Sequence, residues 1–118
     1  MIINRYDFGY IEIDGESYSN DIIIYKGNII KNWWRKRGHY LDINDIDTYI
    51  GKDWTMCTDT VVIGTGESGM MHISDDLIEF LRDNNIEVFI EKSLDACKLF
   101  NSLNKSSENV ALFIHLTC

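Results

Sequence analysis

The second half of the chain alternates short apolar runs with amphipathic stretches, and this order constrains the fold more than any other feature. Apolar runs at residues 60–63, 86–90 and 110–116 predict three strands. Ser74 and Ser93 each precede a stretch with helical spacing of apolar residues, so both are expected to be helix N-caps. The order β-α-β-α-β normally builds a parallel sheet with right-handed crossovers. The sequence therefore predicts an α/β fold.

The first third of the chain has a different pattern, typical of antiparallel strands. Apolar side chains at a rough period of two predict one strand over residues 6–13, and the β-branched residues within 18–25 predict a second. A short third strand is expected at 29–30. Asp14-Gly15 and Lys26-Gly27-Asn28 provide the turns between them. These strands are predicted to form an antiparallel meander.

A short helix is expected between these two regions. Asp42 is a suitable N-cap, and Asp45 follows at the third helical position, where a carboxylate suits the helix dipole. Isoleucines at positions 43, 46 and 50 share one helical face. Gly51 is expected to end the helix.

Length and charge limit the class of protein. A chain of 118 residues is expected to form one domain, residues 1–118. Its 11 basic and 19 acidic residues give a net charge of -8, which disfavours binding to nucleic acid or to anionic membranes. No apolar run approaches the roughly 18 residues that a membrane span needs. The first residues lack the features of a signal or transit peptide, so we expect a cytoplasmic protein.

The cysteines and histidines are too dispersed to predict a disulfide framework or a metal site. No C-x-x-C pair is present, and reduced thiols fit a cytosolic protein. Cys57 and Cys97 are expected to be buried, and the histidines are expected to be ordinary. The six residues are Cys57, Cys97, Cys118, His39, His72 and His115.

A glycine loop, Gly64-Thr65-Gly66-Glu67-Ser68-Gly69, matches the pattern G-x-G-x-x-G directly after a predicted strand. In a dinucleotide fold the following helix opens inside this motif, so that its amides meet the pyrophosphate. Here the helix start, Ser74, comes five residues later, although Glu91 stands near the expected position of a ribose-binding acid. We predict no NAD, NADP or FAD binding and no cofactor. Two alternatives remain: a tight loop that needs positive φ, or an anion-binding nest of amides.

A basic segment, residues 31–40, holds four of the eleven basic residues among aromatic ones. It either grips a phosphate, a carboxylate or single-stranded nucleic acid, or lets its tryptophans seal the sheet edge while its cations stay in water. Arg35 and His39, flanked by Trp34 and Gly38, are the better site candidates. The cations expected in water are Lys31, Lys36 and Arg37. No nucleophile is convincing, since Ser68 lacks an identifiable base.

Four motifs in series resemble the Mth938-like domain family, a family of unknown function. They are Tyr6-Asp7-Phe8-Gly9, Trp34-Arg35 with Gly38-His39, Ile63-Gly64-Thr65-Gly66 with Gly69, and His115-Leu116-Thr117-Cys118. The resemblance implies three layers, with a central mixed sheet, a C-terminal βαβαβ portion and an N-terminal antiparallel β-hairpin layer. It implies no established enzyme activity. Eukaryotic members include a mitochondrial complex I assembly factor and an adipogenesis-associated protein, but a mitochondrial role does not carry over without a transit peptide.

The leading hypothesis is a non-catalytic binding or assembly-type domain with an anion-accepting pocket between the basic segment and the glycine loop. Its ligand is expected to be a protein partner or a small anionic molecule. The rival hypothesis is an enzyme that acts on a small anionic substrate in the same pocket, with Arg35 binding charge and His39 moving a proton. No catalytic or metal-binding residue is assigned. The predicted ligand-binding residues are Trp34, Arg35, His39, Gly64, Thr65, Gly66, Ser68 and Gly69.

Overall fold

A five-stranded mixed sheet forms the centre of the protein in a computed structural model that describes residues 1–107 and 109–118. The strands are β1 (Ile3–Asp7), β2 (Tyr10–Ile13), β3 (Glu16–Tyr18), β4 (Ile22–Tyr25), β5 (Asn28–Ile30), β6 (Tyr40–Leu41), β7 (Thr60–Thr65), β8 (His72–Ile73), β9 (Glu87–Glu91) and β10 (Val110–His115). The helices are α1 (Asn44–Ile50), a 3-10 helix (Trp54–Cys57), α2 (Asp75–Asp83) and α3 (Ser93–Asn104). The central sheet has the order β5-β4-β10-β7-β9.

The predicted βαβαβ unit is confirmed. Strands β7, β9 and β10 are parallel, and helices α2 and α3 connect them. In the pairing register His115 stands beside Thr65, and Gly64 stands beside Glu91. The carboxyl ends of all three strands therefore meet at one edge of the sheet, the edge at which open α/β sheets bind ligands.

Alternating side chains divide the core between the two faces of the sheet. Ile22 and Ile24 of β4 pack into one core with β1, β2 and α3, whereas Ile23 packs into the other. The second core holds buried residues of α1 and α2, together with Trp33 and Trp54. This separation follows from the period of two along a strand. The three layers implied by the family resemblance are confirmed.

The N-terminal strands do not form a single meander, and this part of the prediction is wrong. Gly9, with φ +72°, turns the chain inside the predicted first strand and creates the β1–β2 hairpin. The predicted second strand is also divided: Tyr18 ends β3 in the hairpin sheet, and Ile22 begins β4 in the central sheet. Both breaks fall inside segments that the apolar pattern joined: the first at Gly9, and the second in the polar residues 19–21.

The helix starts agree with the sequence in one case out of three. Ser74 is the N-cap of α2, and its side chain accepts from Leu77 N at 3.1 Å. Ser93 is instead the first residue of α3, and its hydroxyl is used for a contact between strands. The cap of α1 is Ile43, without a side-chain hydrogen bond, and Asp42 lies one residue earlier. Gly51 ends α1 with φ +84°, as predicted.

Burial of the cysteines differs from the expectation at one position. Cys97 is buried in α3, but Cys57 is exposed, because it belongs to the 3-10 helix at the surface. Cys118 is exposed as well. Within residues 1–107 and 109–118, no helix is both long and apolar enough to cross a membrane.

Candidate functional site

A buried cluster of Asp21, Arg35 and His115 lies at the carboxyl edge of the central sheet. Asp21 directly precedes β4, which pairs with β10, so its side chain reaches the last residue of β10. Asp21 Oδ2 lies 2.7 Å from Arg35 Nη2 and 2.8 Å from His115 Nδ1. The other carboxylate oxygen accepts from Leu116 N at 2.7 Å. The cluster thus joins three distant parts of the chain.

The Asp21 carboxylate is held in its charged form. Burial raises its pKa, but hydrogen bonds from His115, from Leu116 N and from Arg35 outweigh that effect, so the pKa lies below the ordinary value. His115 Nδ1 also lies 3.0 Å from Arg35 Nη2, but the two hydrogens of Nη2 are directed at Asp21 Oδ2 and Gly38 O. Because Nδ1 then faces the Asp21 carboxylate, we assign the proton to this nitrogen. The other ring nitrogen, Nε2, then faces Thr117 Oγ1 at 3.3 Å.

The protein provides hydrogen-bond acceptors for only some of the N–H groups of the Arg35 guanidinium. Nη2 donates to Asp21 and, at 2.9 Å, to Gly38 O, while Nε donates to Gly38 O at 3.1 Å. The cation also lies over the Trp33 ring, 4.8 Å from its centroid. Among the residues that the structure describes, the buried Nη1 finds no hydrogen-bond partner. An unpaired buried donor costs about 1–3 kcal/mol, so it marks a position where an acceptor is favoured.

A cavity of about 200 Å³ opens beside this guanidinium, and we call it the Arg35 cavity. Trp34, which is 61% exposed, is among its lining residues. The lining residues are Ser19, Asn20, Asp21, Trp34, Arg35, Gly38, His115, Leu116 and Thr117.

His39 lies next to the cluster rather than in the wall of the cavity. Its ring meets the His115 ring edge-on, with the two centroids 5.6 Å apart. The residue is exposed, and its carbonyl accepts from His72 N at 2.9 Å. This bond adjoins the parallel pairing of β6 with β8, which brings the basic segment alongside the chain that leaves the glycine loop.

The glycine loop lies on the other side of β10, with its amides already paired within the protein. Gly66 N donates to Ser93 Oγ at 2.8 Å. Glu67 N donates to Thr117 O at 2.6 Å, and Met70 N to Cys118 O at 3.1 Å. Ser68 N also reaches Cys118 O, at 3.3 Å. The amides of the loop therefore donate to the main-chain oxygens of Thr117 and Cys118, in the 116–118 segment.

Two of the loop glycines are required by close packing. Gly66 has φ +104°, and a Cβ there would lie 2.6 Å from Cys118 O. A Cβ on Gly64 would lie 2.7 Å from Ile114 Cγ1. Thr65 Oγ1 donates to Glu91 O at 3.0 Å, which ties β7 to the end of β9. The sequence left two alternatives for this loop, a tight turn with positive φ and an anion-binding nest of amides. The observed geometry is that of the tight turn, packed closely against the neighbouring chain.

The predicted site residues are thus divided by β10. Trp34 and Arg35 line the cavity, His39 adjoins it, and the loop residues support the 116–118 segment from the opposite side. Ser68 is exposed, and Gly69 has φ +72°. Ligand binding by the loop residues stays a prediction. The cations Lys31, Lys36 and Arg37 are exposed, as expected.

Sequence reasoning missed Asp21 and His115, which complete the site. His115 was grouped with the ordinary histidines, although it stands inside the apolar run of β10, where a buried titratable residue needs a partner. Asp21 directly precedes the isoleucine run of β4. A carboxylate next to a run of buried isoleucines was the available signal.

The fold and site define a small three-layer α/β domain with a buried Asp–Arg–His cluster at the edge of its mixed sheet. Residues 3–115 match the family model described as "Protein of unknown function (DUF498/DUF598)". Because this match covers nearly the whole chain, the protein belongs to that family. No curated protein matches the chain significantly.

Solved structures share the same fold. A conserved hypothetical protein from Pyrococcus horikoshii OT3 is 28% identical, covers 100% of both chains and has a TM-score of 0.79. A protein described as an outer membrane protein from Bartonella henselae is 20% identical over 98% of this chain and 94% of its own, with a TM-score of 0.80. A Bordetella pertussis protein described as a Mth938-like domain is 14% identical over 98% and 85%, with a TM-score of 0.71. The last two likenesses establish the fold alone.

Proposed function

We propose that this chain is a non-catalytic binding domain that accepts a carboxylate or phosphate group in the Arg35 cavity. The observation that carries the proposal is the buried Nη1 of Arg35, which has no hydrogen-bond partner among the described residues. An anionic oxygen would satisfy this donor with a charge-assisted hydrogen bond once the groups that cover Nη1 move aside. The group belongs to a small molecule or to a protein partner, and the binding role is exercised in the cytoplasm.

The charged side chains in the wall of the Arg35 cavity, Asp21 and Arg35, balance each other. Lys36 and Arg37 follow Arg35 in the chain, but they line a separate cavity that also contains Asp42 and Asp45. Recognition of an anion therefore rests on the directed N–H group of Arg35 rather than on a net positive field. We therefore expect weak binding of simple anions, with additional affinity from the rest of the ligand.

The proposal is tested by titrating ¹⁵N-labelled protein with sodium benzoate, sodium acetate and inorganic phosphate while recording amide spectra. Saturable shifts are expected at residues 34–38 and 115–117, which surround the cavity. Arg35→Lys keeps the charge but loses the planar donor fork, and should weaken binding by about tenfold or more. Arg37→Lys is the control, because Arg37 is exposed and outside the cavity wall. Binding that is absent, or equal in both variants, would overturn the proposal.

One observation favours an enzyme as the alternative. Asp21, His115 and Thr117 succeed one another within hydrogen-bond reach, at 2.8 and 3.3 Å, as a carboxylate, an imidazole and a hydroxyl. Such a series is the usual arrangement for activating a nucleophile. His39, beside His115, would exchange protons with solvent, and Arg35 would bind the substrate charge.

A hydrolysis assay distinguishes the binding domain from the enzyme. The binding domain is expected to hydrolyse neither p-nitrophenyl acetate nor p-nitrophenyl phosphate above the buffer rate. Hydrolysis that is lost in Thr117→Val and reduced in His39→Ala would favour the enzyme. Thr117→Val keeps the shape of the side chain while removing the hydroxyl, so the variant protein should retain the fold.

A dinucleotide ligand is not part of the proposal. The glycine loop uses the amides of Gly66, Glu67 and Met70 for partners within the chain, which leaves them paired where a pyrophosphate would need them. Calorimetric titration with NADH, NADPH and FAD is expected to give no saturable heat. Saturable binding that disappears in Gly66→Val would contradict this expectation.

A further inference from the structure

One long side of strand β9 is open, and we call it the β9 edge. β9 is the last strand in the order β5-β4-β10-β7-β9, so it has a neighbour, β7, on one side only. Its ladder with β7 begins where Glu87 N donates to Asp59 O at 3.1 Å. The other side pairs with no strand in the part of the chain that the structure describes. An unpaired side of a strand presents a row of main-chain donors and acceptors to a binding partner.

The main-chain groups at the β9 edge belong to Val88 and Ile90. In a strand, the N–H and C=O groups of one residue point to the same side, and this side alternates from residue to residue. Because Glu87 N points to β7, the groups two and four residues later point there too. Glu91 O agrees with this orientation, since it accepts from Thr65 Oγ1 of β7 at 3.0 Å. Val88 and Ile90 therefore direct their N–H and C=O groups outward, and they have no hydrogen-bond partner among the described residues.

Apolar side chains accompany these groups on both faces of the strand. Ile90 is 41% exposed, and Val88 and Phe89 are half-buried. Phe89 packs against the core that contains α3, whereas Val88 packs against the core that contains α2. A strand added at the β9 edge would cover apolar surface on both faces while its main chain pairs with β9.

The charge around the β9 edge is strongly negative. Residues 75–91 form α2 and β9, which pack against each other. They carry six acidic side chains and one basic one, so they contribute -5 to the net charge of -8. All seven charged residues are exposed. An acidic surface of this kind attracts a cationic partner and repels an anionic one.

Two of these carboxylates belong to β9 itself and make a second copy of the chain a poor occupant. A twofold axis pairs two β9 strands antiparallel, and the longest such pairing is centred at Phe89. It would place Glu87 of one copy opposite Glu91 of the other, and like charges in that position are destabilising. Lysine or arginine in the added strand would instead form favourable cross-strand pairs with both glutamates. The strand therefore favours a basic occupant.

We propose that the β9 edge is the docking site for an extended basic segment of a partner protein, which adds a strand to the central sheet. The main chain of this segment pairs with Val88 and Ile90, in the binding mode called β-augmentation. Two basic side chains, four residues apart, meet Glu87 and Glu91, and an apolar side chain midway between them meets Phe89. The inference goes beyond the proposed anion binding, because the described residues that line the Arg35 cavity include none from α2 or β9.

The test uses a nine-residue peptide with lysine at its first, fifth and ninth positions, valine at its third and seventh, and threonine between them. Amide hydrogen exchange of the intact ¹⁵N-labelled chain is measured by NMR with and without saturating peptide. Exchange at Val88 and Ile90 should slow by about tenfold or more, because their N–H groups gain acceptors. Phe89 N, which already faces β7, should change less. The same peptide with glutamate in place of lysine should give no protection.

Ile90→Pro distinguishes main-chain pairing from simple charge attraction. Proline is tolerated in an edge strand where the replaced N–H faces outward, so the variant should fold but bind the lysine peptide about tenfold more weakly or worse. Glu87→Lys should also weaken binding, by several-fold, because it removes a cross-strand pair. Glu16→Lys is its matched control, since Glu16 is an exposed strand glutamate in the hairpin sheet and the net charge changes equally.

Three results would overturn the inference. The first is unchanged exchange at Val88 and Ile90 with the lysine peptide. The second is an Ile90→Pro variant that gives a folded amide spectrum and binds as well as the wild type. The third is equal weakening by Glu87→Lys and Glu16→Lys. If Ile90→Pro does not fold, the exchange data and the two lysine variants decide. Dimerisation of the chain alone in sedimentation, with protection of the same two amides, would also reject the basic partner in favour of a second copy.

Discussion

Arg35 Nη2 and Asp21 Oδ2 lie 2.7 Å apart, with only 4% and 10% of their side chains exposed. Removing one partner of a buried pair leaves the other charge without compensation, which costs about 3–5 kcal/mol. Arg35→Met is therefore expected to lower the free energy of unfolding by that amount in urea denaturation.

The chain offers a matched control for this experiment. Arg5 forms an ion pair with Asp7, but their side chains are 67% and 56% exposed. Water screens such a pair, so Arg5→Met should change stability little. Equal losses in the two variants would contradict a structural role for the Arg35–Asp21 pair. Because Arg35 carries both stability and the proposed binding, Arg35→Lys is the better variant for affinity.

Stability should depend on pH through Asp21. Its pKa in the folded protein is lowered from the ordinary value of 3.8, so the unfolded chain binds this proton more readily than the folded protein does. The resulting stabilisation is fully present above the unfolded pKa and is lost as pH falls through the folded pKa. The stability difference between the wild type and Asp21→Asn should therefore be constant above about pH 5 and shrink as pH falls below the ordinary value of 3.8. A difference that stays constant below that value in urea denaturation would contradict the charged state assigned to Asp21.

Gly66→Ala should destabilise the protein by more than an ordinary glycine exchange at positive φ. Gly66 has φ +104°, and the added Cβ would also meet the main chain of Cys118. Gly15→Ala is the control, since Gly15 has φ +85° but nothing within 4 Å of the added carbon. We expect a cost of about 1–2 kcal/mol for Gly15→Ala from the backbone alone, and a larger cost for Gly66→Ala. Thermal denaturation of both variants measures the difference, and equal losses would show that the 116–118 segment moves away freely.

The three thiols should react at different rates. Burial raises the pKa of Cys97 to about 12, so this thiol is both protonated and inaccessible in the folded protein. Cys57 and Cys118 are exposed. Ellman's reagent is expected to titrate these two thiols quickly in the native protein and Cys97 only after denaturation. If Cys97→Ala removes a fast-reacting thiol, the buried assignment of Cys97 is wrong.

Residue type predicted the ends of those helices that are capped by interactions between residues close in sequence. The hydroxyl of Ser74 accepts from an amide three residues later, and Gly51 supplies the positive φ that ends α1. Both interactions fall within one helical turn, so the residue types alone predicted them. Ser93 met the same local criterion, but its hydroxyl bridges Gly66 N and His115 O instead. A competing long-range partner decided its role.

The sequence by itself determined the parallel βαβαβ unit and made Arg35 a site candidate, because periodicity and residue type act over a few residues. Only the tertiary structure decided that Asp21 and His115, 94 residues apart, share a hydrogen bond, since strand order is set by packing of the whole sheet. It also decided that the amides of the glycine loop serve the 116–118 segment. A loop motif specifies which conformations are allowed, whereas the chain that packs against it specifies which groups its amides bind.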